Sequence, residues 1–282
     1  MTDIRPSLAT VRLDVSDGVA TITLDVPDKR NAFSSAMRAD LAAAYRFCDR
    51  EDEVRAVILT GTPPAFCAGA DLTPGEATFG EPGSDFSAAG LEVPAWDVRK
   101  PMIAAVNGHA IGIGLTMALQ CELRIFATDA KYGVVQARRG VLGDAYSHWL
   151  LPRMIGTARA AEILLTGSTF DGARAMALGI ANQVLDASEV VPAATALAHD
   201  IAVNVAPQAA ALSKQLLWES WDLDRAGVGR RETEYHRVLM GAEDSREGVR
   251  AFLDRRPPRW TGKVSELPMP EPLASDLSEE PS

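Results

Sequence analysis

The chain is poor in cysteine. Cys48, Cys67 and Cys121 are the only three among 282 residues. They are odd in number and far apart, which suits neither a disulfide framework nor a metal-ligand cluster, so a reducing compartment and no metal are expected. No apolar run reaches about 18 residues, so no membrane span is expected. The opening residues 1–15 have no apolar h-region, which argues against a secretory signal and for a cytoplasmic protein. Positive charge is also scarce, with 28 Lys and Arg against 38 Asp and Glu. A net charge of −10 argues against a generic nucleic-acid binder. Residues 264–282 contain no base, five acids and four prolines. That stretch is too polar to fold, and a disordered acidic tail is expected there.

What is present is an ordinary globular composition, 47% hydrophobic and 23% charged, long enough for one large domain with an appendage. Val11–Val15 and Val19–Leu24 alternate apolar and polar residues around Asp17-Gly18, which predicts a hairpin. Ser34 or Ser35 is placed to cap a helix running to about Cys48, with Met37, Leu41, Ala44 and Tyr45 on one face. Val54–Thr60, Met102–Val106 and Leu123–Ala127 read as further strands. Strands separated by helices imply parallel pairing through crossovers. Residues 74–100 are rich in Gly, Pro, Ser and Glu and predict a long loop. From Tyr146 onward the pattern is helical: Tyr146–Ile155, Ala158–Thr166, Asp171–Leu178, Ala187–Val205, Pro207–Ser220, Asp224–Ala242 and Arg246–Phe252.

Four segments carry chemistry. Phe66-Cys67-Ala68-Gly69-Ala70-Asp71 follows a strand. Ala104–Gly114, reading AAVNGHAIGIG, runs from a strand into a helix. Pro27–Ala32 precedes the first helix, and Glu247-Gly248 to Arg256 lies near the end. With these four segments the chain resembles the crotonase, or enoyl-CoA hydratase/isomerase, superfamily over about residues 10–262. The resemblance implies an α/β spiral of ββα turns over residues 1–200, and a helical trimerisation region over 201–263 ahead of the tail. It implies a homotrimer or hexamer acting on an acyl-CoA substrate, with no cofactor beyond that thioester. The chemical logic stands beside it. A thioester carbonyl gains negative charge as its neighbouring carbon loses a proton, and fixed N–H donors stabilise that charge. By position, the N–H groups of Ala68 and Ile113 are the expected oxyanion donors. Lys29, Arg30, Ala32, Ala70, Asp71, Phe252 and Arg255 match CoA-contacting positions. Lys29 and Arg30 also suit a solvated basic pair, and Phe252 and Arg255 an apolar staple beside an exposed charge. His109 reads as packed or solvent-facing rather than catalytic.

The family's hydratases use two glutamates, and the aligned positions here are Thr116 and Gln136. Neither holds a charge or takes a proton at neutral pH, so ordinary hydration loses its usual groups. Asp144 is the one matched carboxylate. The pattern Thr116, Gln136, Asp144 is similar to the Δ3,Δ2-enoyl-CoA isomerases of peroxisomal type, which need a single base, although theirs is Glu. The 4-chlorobenzoyl-CoA dehalogenases place a nucleophilic Asp at the same position. Asp144 also suits a helix N-cap. The expectation is an isomerase-like enzyme with Asp144 as base. Hydration, another thioester reaction such as dehalogenation, or catalytically silent acyl-CoA binding are the alternatives.

Overall fold

The computed structural model describes residues 5–81 and 86–267. Strands β1 (Val11–Ser16) and β2 (Val19–Leu24) form the expected antiparallel hairpin. Asp17 and Gly18 both have positive φ, 51° and 80°, as a two-residue turn matched to strand twist requires. Helix α1 (Ser35–Arg50) is capped by Ser34, whose Oγ accepts from the Met37 N–H at 3.2 Å. Met37, Leu41, Ala44 and Tyr45 are fully buried, so the anticipated face is the one that meets the core.

Strands β3 (Ala56–Gly61), β4 (Ala65–Cys67), β5 (Met102–Val106) and β6 (His109–Ile111) then lead into helix α2 (Ile113–Leu119). β7 (Leu123–Ala127), β8 (Tyr132–Gly133) and β9 (Gln183–Leu185) complete the strands. β3, β5 and β7 each give one strand to a six-stranded sheet of order β1-β2-β3-β5-β7-β9. The short strand that follows each of them enters a second sheet of order β4-β6-β8. Beyond the hairpin every pairing between these strands is parallel. This is the expected spiral of ββα turns. The second sheet was not anticipated, and it leads into the functional segments.

Helices α3 (Ser147–Ile155), α4 (Thr157–Thr166), α5 (Gly172–Leu178) and α6 (Ala187–Asn204) follow. α7 (Pro207–Glu219), α8 (Arg225–Leu239) and α9 (Glu243–Asp254) end the helical region. The expected boundary near residue 200 falls inside α6, whose Ala198 and Ala202 both lie in the main core. α7 is tied to the spiral by Lys214, which is 3% exposed. Its Nζ meets Glu122 Oε2 at 3.1 Å and donates to the carbonyls of Ala95 and Lys100. The tail also starts later than expected. Val264 and Leu267 are buried with Ala211, Leu212 and Tyr235, and Ser265 bonds Asp52. Residues 268–282 lie outside the described residues, as do 82–85 of the long loop. Among the described residues no single helix is long and apolar enough to cross a membrane.

Candidate active site

The site is built where β4 ends and α2 begins. Gly114 in the first turn of α2 lies so close to β4 that a Cβ there would sit 2.4 Å from the Cys67 carbonyl oxygen. Only glycine allows that approach. Gly69 has φ 99°, and a Cβ on it would meet the Ile111 oxygen at 3.0 Å. The two turns are therefore pressed together by backbone.

The backbone donors differ from the expectation at one position. The Ala68 N–H is already committed, donating to the Arg30 carbonyl at 3.0 Å. Past Gly69 the chain pairs with Phe33, which donates to the Gly69 oxygen at 2.7 Å and accepts from the Asp71 N–H at 2.9 Å. Between those two bonds, the Ala70 N–H donates to no acceptor among the described residues. Ile113, the first residue of α2, is likewise unpaired at its N–H, as first-turn donors are unless capped. The bare pair is thus Ala70 and Ile113, not Ala68 and Ile113. The Ile113 side chain turns to Gly90, where a Cβ would meet its Cδ1 at 2.6 Å.

Asn31 holds this geometry and was not singled out by sequence. It is fully buried with φ 54°. Its Oδ1 accepts from the Val26 N–H, and its Nδ2 donates to the carbonyls of Thr62 at 2.8 Å and Ala65 at 2.7 Å. The loop that carries Lys29 and Arg30 is so fixed to the start of β4.

The three positions aligned on catalytic groups converge. Asp144 Oδ1 accepts from Gln136 Nε2 at 2.9 Å and lies 3.4 Å from Thr116 Oγ1. Thr116 is fully buried and Gln136 nearly so. The Asp144 Oδ2 accepts no side-chain hydrogen bond among the described residues. Burial pushes the carboxyl of Asp144 above the ordinary carboxylate range, opposed by hydrogen bonds from Gln136, its own backbone and Thr116. The N-cap role for Asp144 does not hold. The residue before α3 is Tyr146, in left-handed conformation, and no side chain caps that helix. Ala145 and Tyr146 take φ 45° and 62°, two consecutive left-handed residues without glycine. Tyr146 meets the edge of Trp96, ring centroids 5.0 Å apart. Cys67 is close by, but burial pushes its thiol up to about 12, so it is no thiolate nucleophile.

The expected CoA-contacting residues divide. Lys29 is partnered, with Nζ 2.9 Å from Asp71 Oδ2 and 3.1 Å from Thr73 Oγ1. Asp71 is held at about 2 by Thr73 and Lys29. The exposed Arg30 guanidinium makes no hydrogen bond or ion pair among the described residues. Ala32 donates to the Lys29 carbonyl and closes the turn. Phe252, 82% exposed, and Arg255 lie at the far end of α9, and no hydrogen bond or ion pair joins them to this loop. His109 accepts at Nδ1 from the Lys131 N–H, a structural role.

A spiral with this arrangement of bare N–H groups and one carboxylate defines a class, and the comparisons agree. The model of the family described as enoyl-CoA hydratase/isomerase matches residues 14–263, and the chain belongs to that family. A probable enoyl-CoA hydratase/isomerase of Mycobacterium abscessus, solved as a crystal structure, is 49% identical with a TM-score of 0.87, covering 90% of this chain and 99% of that one. The enoyl-CoA hydratase ACTT3 of Alternaria alternata is 34% identical over 255 residues, 89% of this chain and 86% of that protein. The 1,2-epoxyphenylacetyl-CoA isomerase of Escherichia coli is 34% identical over 265 residues, 88% of this chain and 97% of that protein.

Proposed function

We propose that the protein isomerises an enoyl-CoA thioester with Asp144 as its only acid–base group. The observation that carries this reading is the anchoring of Asp144. One oxygen is held by neutral donors from Gln136 and Thr116, the two positions where the family's hydratases carry glutamate, and the other accepts no side-chain hydrogen bond among the described residues. In this reading Asp144 removes a proton from C2 of a 3-enoyl thioester. The negative charge moves onto the thioester oxygen, where the Ala70 and Ile113 N–H groups receive it. Each such donor is worth roughly 10²–10³ in rate. Asp144 then returns the proton to C4. A carboxyl raised by burial suits both steps, since it accepts and releases a proton more evenly. The exposed Arg30 guanidinium is the cation this reading assigns to the phosphates of CoA.

The hydratase named among the relatives favours a second reading, hydration of a 2-enoyl thioester. It would require Asp144 alone to activate water, because Thr116 and Gln136 cannot take its proton. Separate assays with 3-enoyl-CoA and 2-enoyl-CoA divide the two. Conversion of the 3-enoyl thioester to its 2-enoyl isomer, falling by roughly 10²–10⁴ in Asp144→Asn, is expected. Hydration of the 2-enoyl thioester without isomerisation would replace this reading with the second. Assembly into a trimer or hexamer is proposed on the same resemblance, with Val249, Phe252 and Leu253 an exposed apolar strip on α9.

A further inference from the structure

Residues 88–96 touch both the donor side and the base side of the site. A Cβ on Gly90 would lie 2.6 Å from Ile113 Cδ1 and 3.3 Å from the Ala145 Cβ. The Ala88 carbonyl accepts from the Ala145 N–H at 2.8 Å. The Trp96 ring meets Tyr146. Ala145 directly follows Asp144 and is fully buried. Gln120, the residue that ends α2, closes this arrangement and is also fully buried. Its Oε1 accepts from the Ala95 N–H at 3.2 Å, and its Nε2 donates to the Ala145 carbonyl at 3.4 Å. A backbone N–H only donates and a carbonyl only accepts, so these two partners fix which way the amide lies. Ala145 is therefore held at its N–H by Ala88 and at its carbonyl by Gln120.

We propose that Gln120 is a positioning residue for Asp144, acting through the backbone of Ala145 rather than on the substrate. This rests on the reading of Asp144 as the acid–base group. Ala145 and Tyr146 are consecutive left-handed residues without glycine, and such a backbone persists only where its surroundings fix it. The Ala88 bond fixes the peptide before Ala145, and the Gln120 bond fixes the peptide after it. Asp144 Oδ1 reaches Gln136 at 2.9 Å but Thr116 only at 3.4 Å, so a small backbone rotation is enough to break the second bond. Both bonds hold the carboxyl down against burial, so their weakening raises it further. The titratable side chain that interacts with Asp144 is Cys67 on β4, which burial keeps neutral. A base displaced by about 1 Å can lose about 10²-fold in rate while the thioester still binds.

The test compares the full chain as wild type, Gln120→Met and Thr60→Val. Gln120→Met keeps the bulk of the side chain and removes both bonds. Thr60→Val removes a buried bond to the Ala105 carbonyl that involves no residue of the site. Two readouts are taken: isomerisation of 3-enoyl-CoA, and titration of the carbon-13-labelled Asp144 carboxyl by NMR, assigned by its loss in Asp144→Asn. In Gln120→Met, kcat is expected to fall by about 10- to 10²-fold with KM within about twofold of wild type. The Asp144 carboxyl should titrate at higher pH than in wild type. Thr60→Val should change neither readout. If Gln120→Met does not fold, Gln120→Asn replaces it with the same expectations, since it is one methylene too short to span both backbone partners. An unshifted titration overturns the proposal, as does an unchanged kcat or an equal effect in Thr60→Val. A wild type that does not isomerise 3-enoyl-CoA overturns the isomerase reading instead, and the titration alone then decides the role of Gln120.

Discussion

Burial and hydrogen bonding act on Asp144 in opposite directions, and burial is the larger. A carboxyl raised in the folded state favours folding fully below its unfolded pKa, and that contribution is lost as pH rises through the folded value. At neutral pH the buried carboxyl therefore opposes folding. Asp144→Asn should raise Tm at pH 7 by roughly 2–4 °C, with the gain vanishing below about pH 3.9. Scanning calorimetry across that range checks it, and a lower Tm at pH 7 would make the carboxylate structural instead. Thr116 supports the ionised form. Thr116→Val should accordingly move the acid limb of kcat/KM to higher pH. A limb that stays in place would detach Thr116 from the base.

Between elements, the site depends on loops locked by single side chains. Asn31→Ala would strand the carbonyls of Thr62 and Ala65 and the N–H of Val26. A stability loss of about 2–4 kcal/mol in denaturant unfolding is expected, since a stranded buried group costs about 1–3 kcal/mol and only the Ala65 carbonyl bond is fully buried, the other two being part-buried. A loss under about 0.5 kcal/mol would mean that water replaces Asn31. How far such elements were legible depends on their length. The hairpin showed in Asp17-Gly18 and α1 in Ser34, because turn and cap chemistry is local. β4, β6 and β8 are two or three residues long, too short for alternation to show. Without their register, the N–H that faces the site cannot be chosen from the string FCAGAD. Gly69 takes a positive φ, the chain beyond it pairs with Phe33, and the bare donor falls on Ala70. Asp144, Gln136 and Thr116 were legible only as positions matched to a family. Their bonds to one another arise from the packing of α2 beside the segment that precedes α3.

Across the whole molecule, the helical region is fused to the spiral rather than hung on it. Lys214 and Glu122 form a pair of 3% and 12% exposure that joins α7 to the sheet side of the core. Trp218 Nε1 donates to the same carboxylate at 2.7 Å. Lys214→Met leaves that carboxylate without its paired charge, and a loss of about 3–5 kcal/mol is expected. Unfolding of the spiral and of the helices as one transition, at lower denaturant than wild type, would match a fused core. Two separate transitions in the wild type would contradict it. The proposed chemistry turns on one base beside two bare donors. The most direct measurement is deuterium exchange at C2 of a saturated acyl-CoA in heavy water, followed by NMR, for wild type and Asp144→Asn. Exchange in wild type that falls by at least about 10²-fold in the variant is the predicted result. Exchange undiminished in the variant, or absent in wild type, would contradict it.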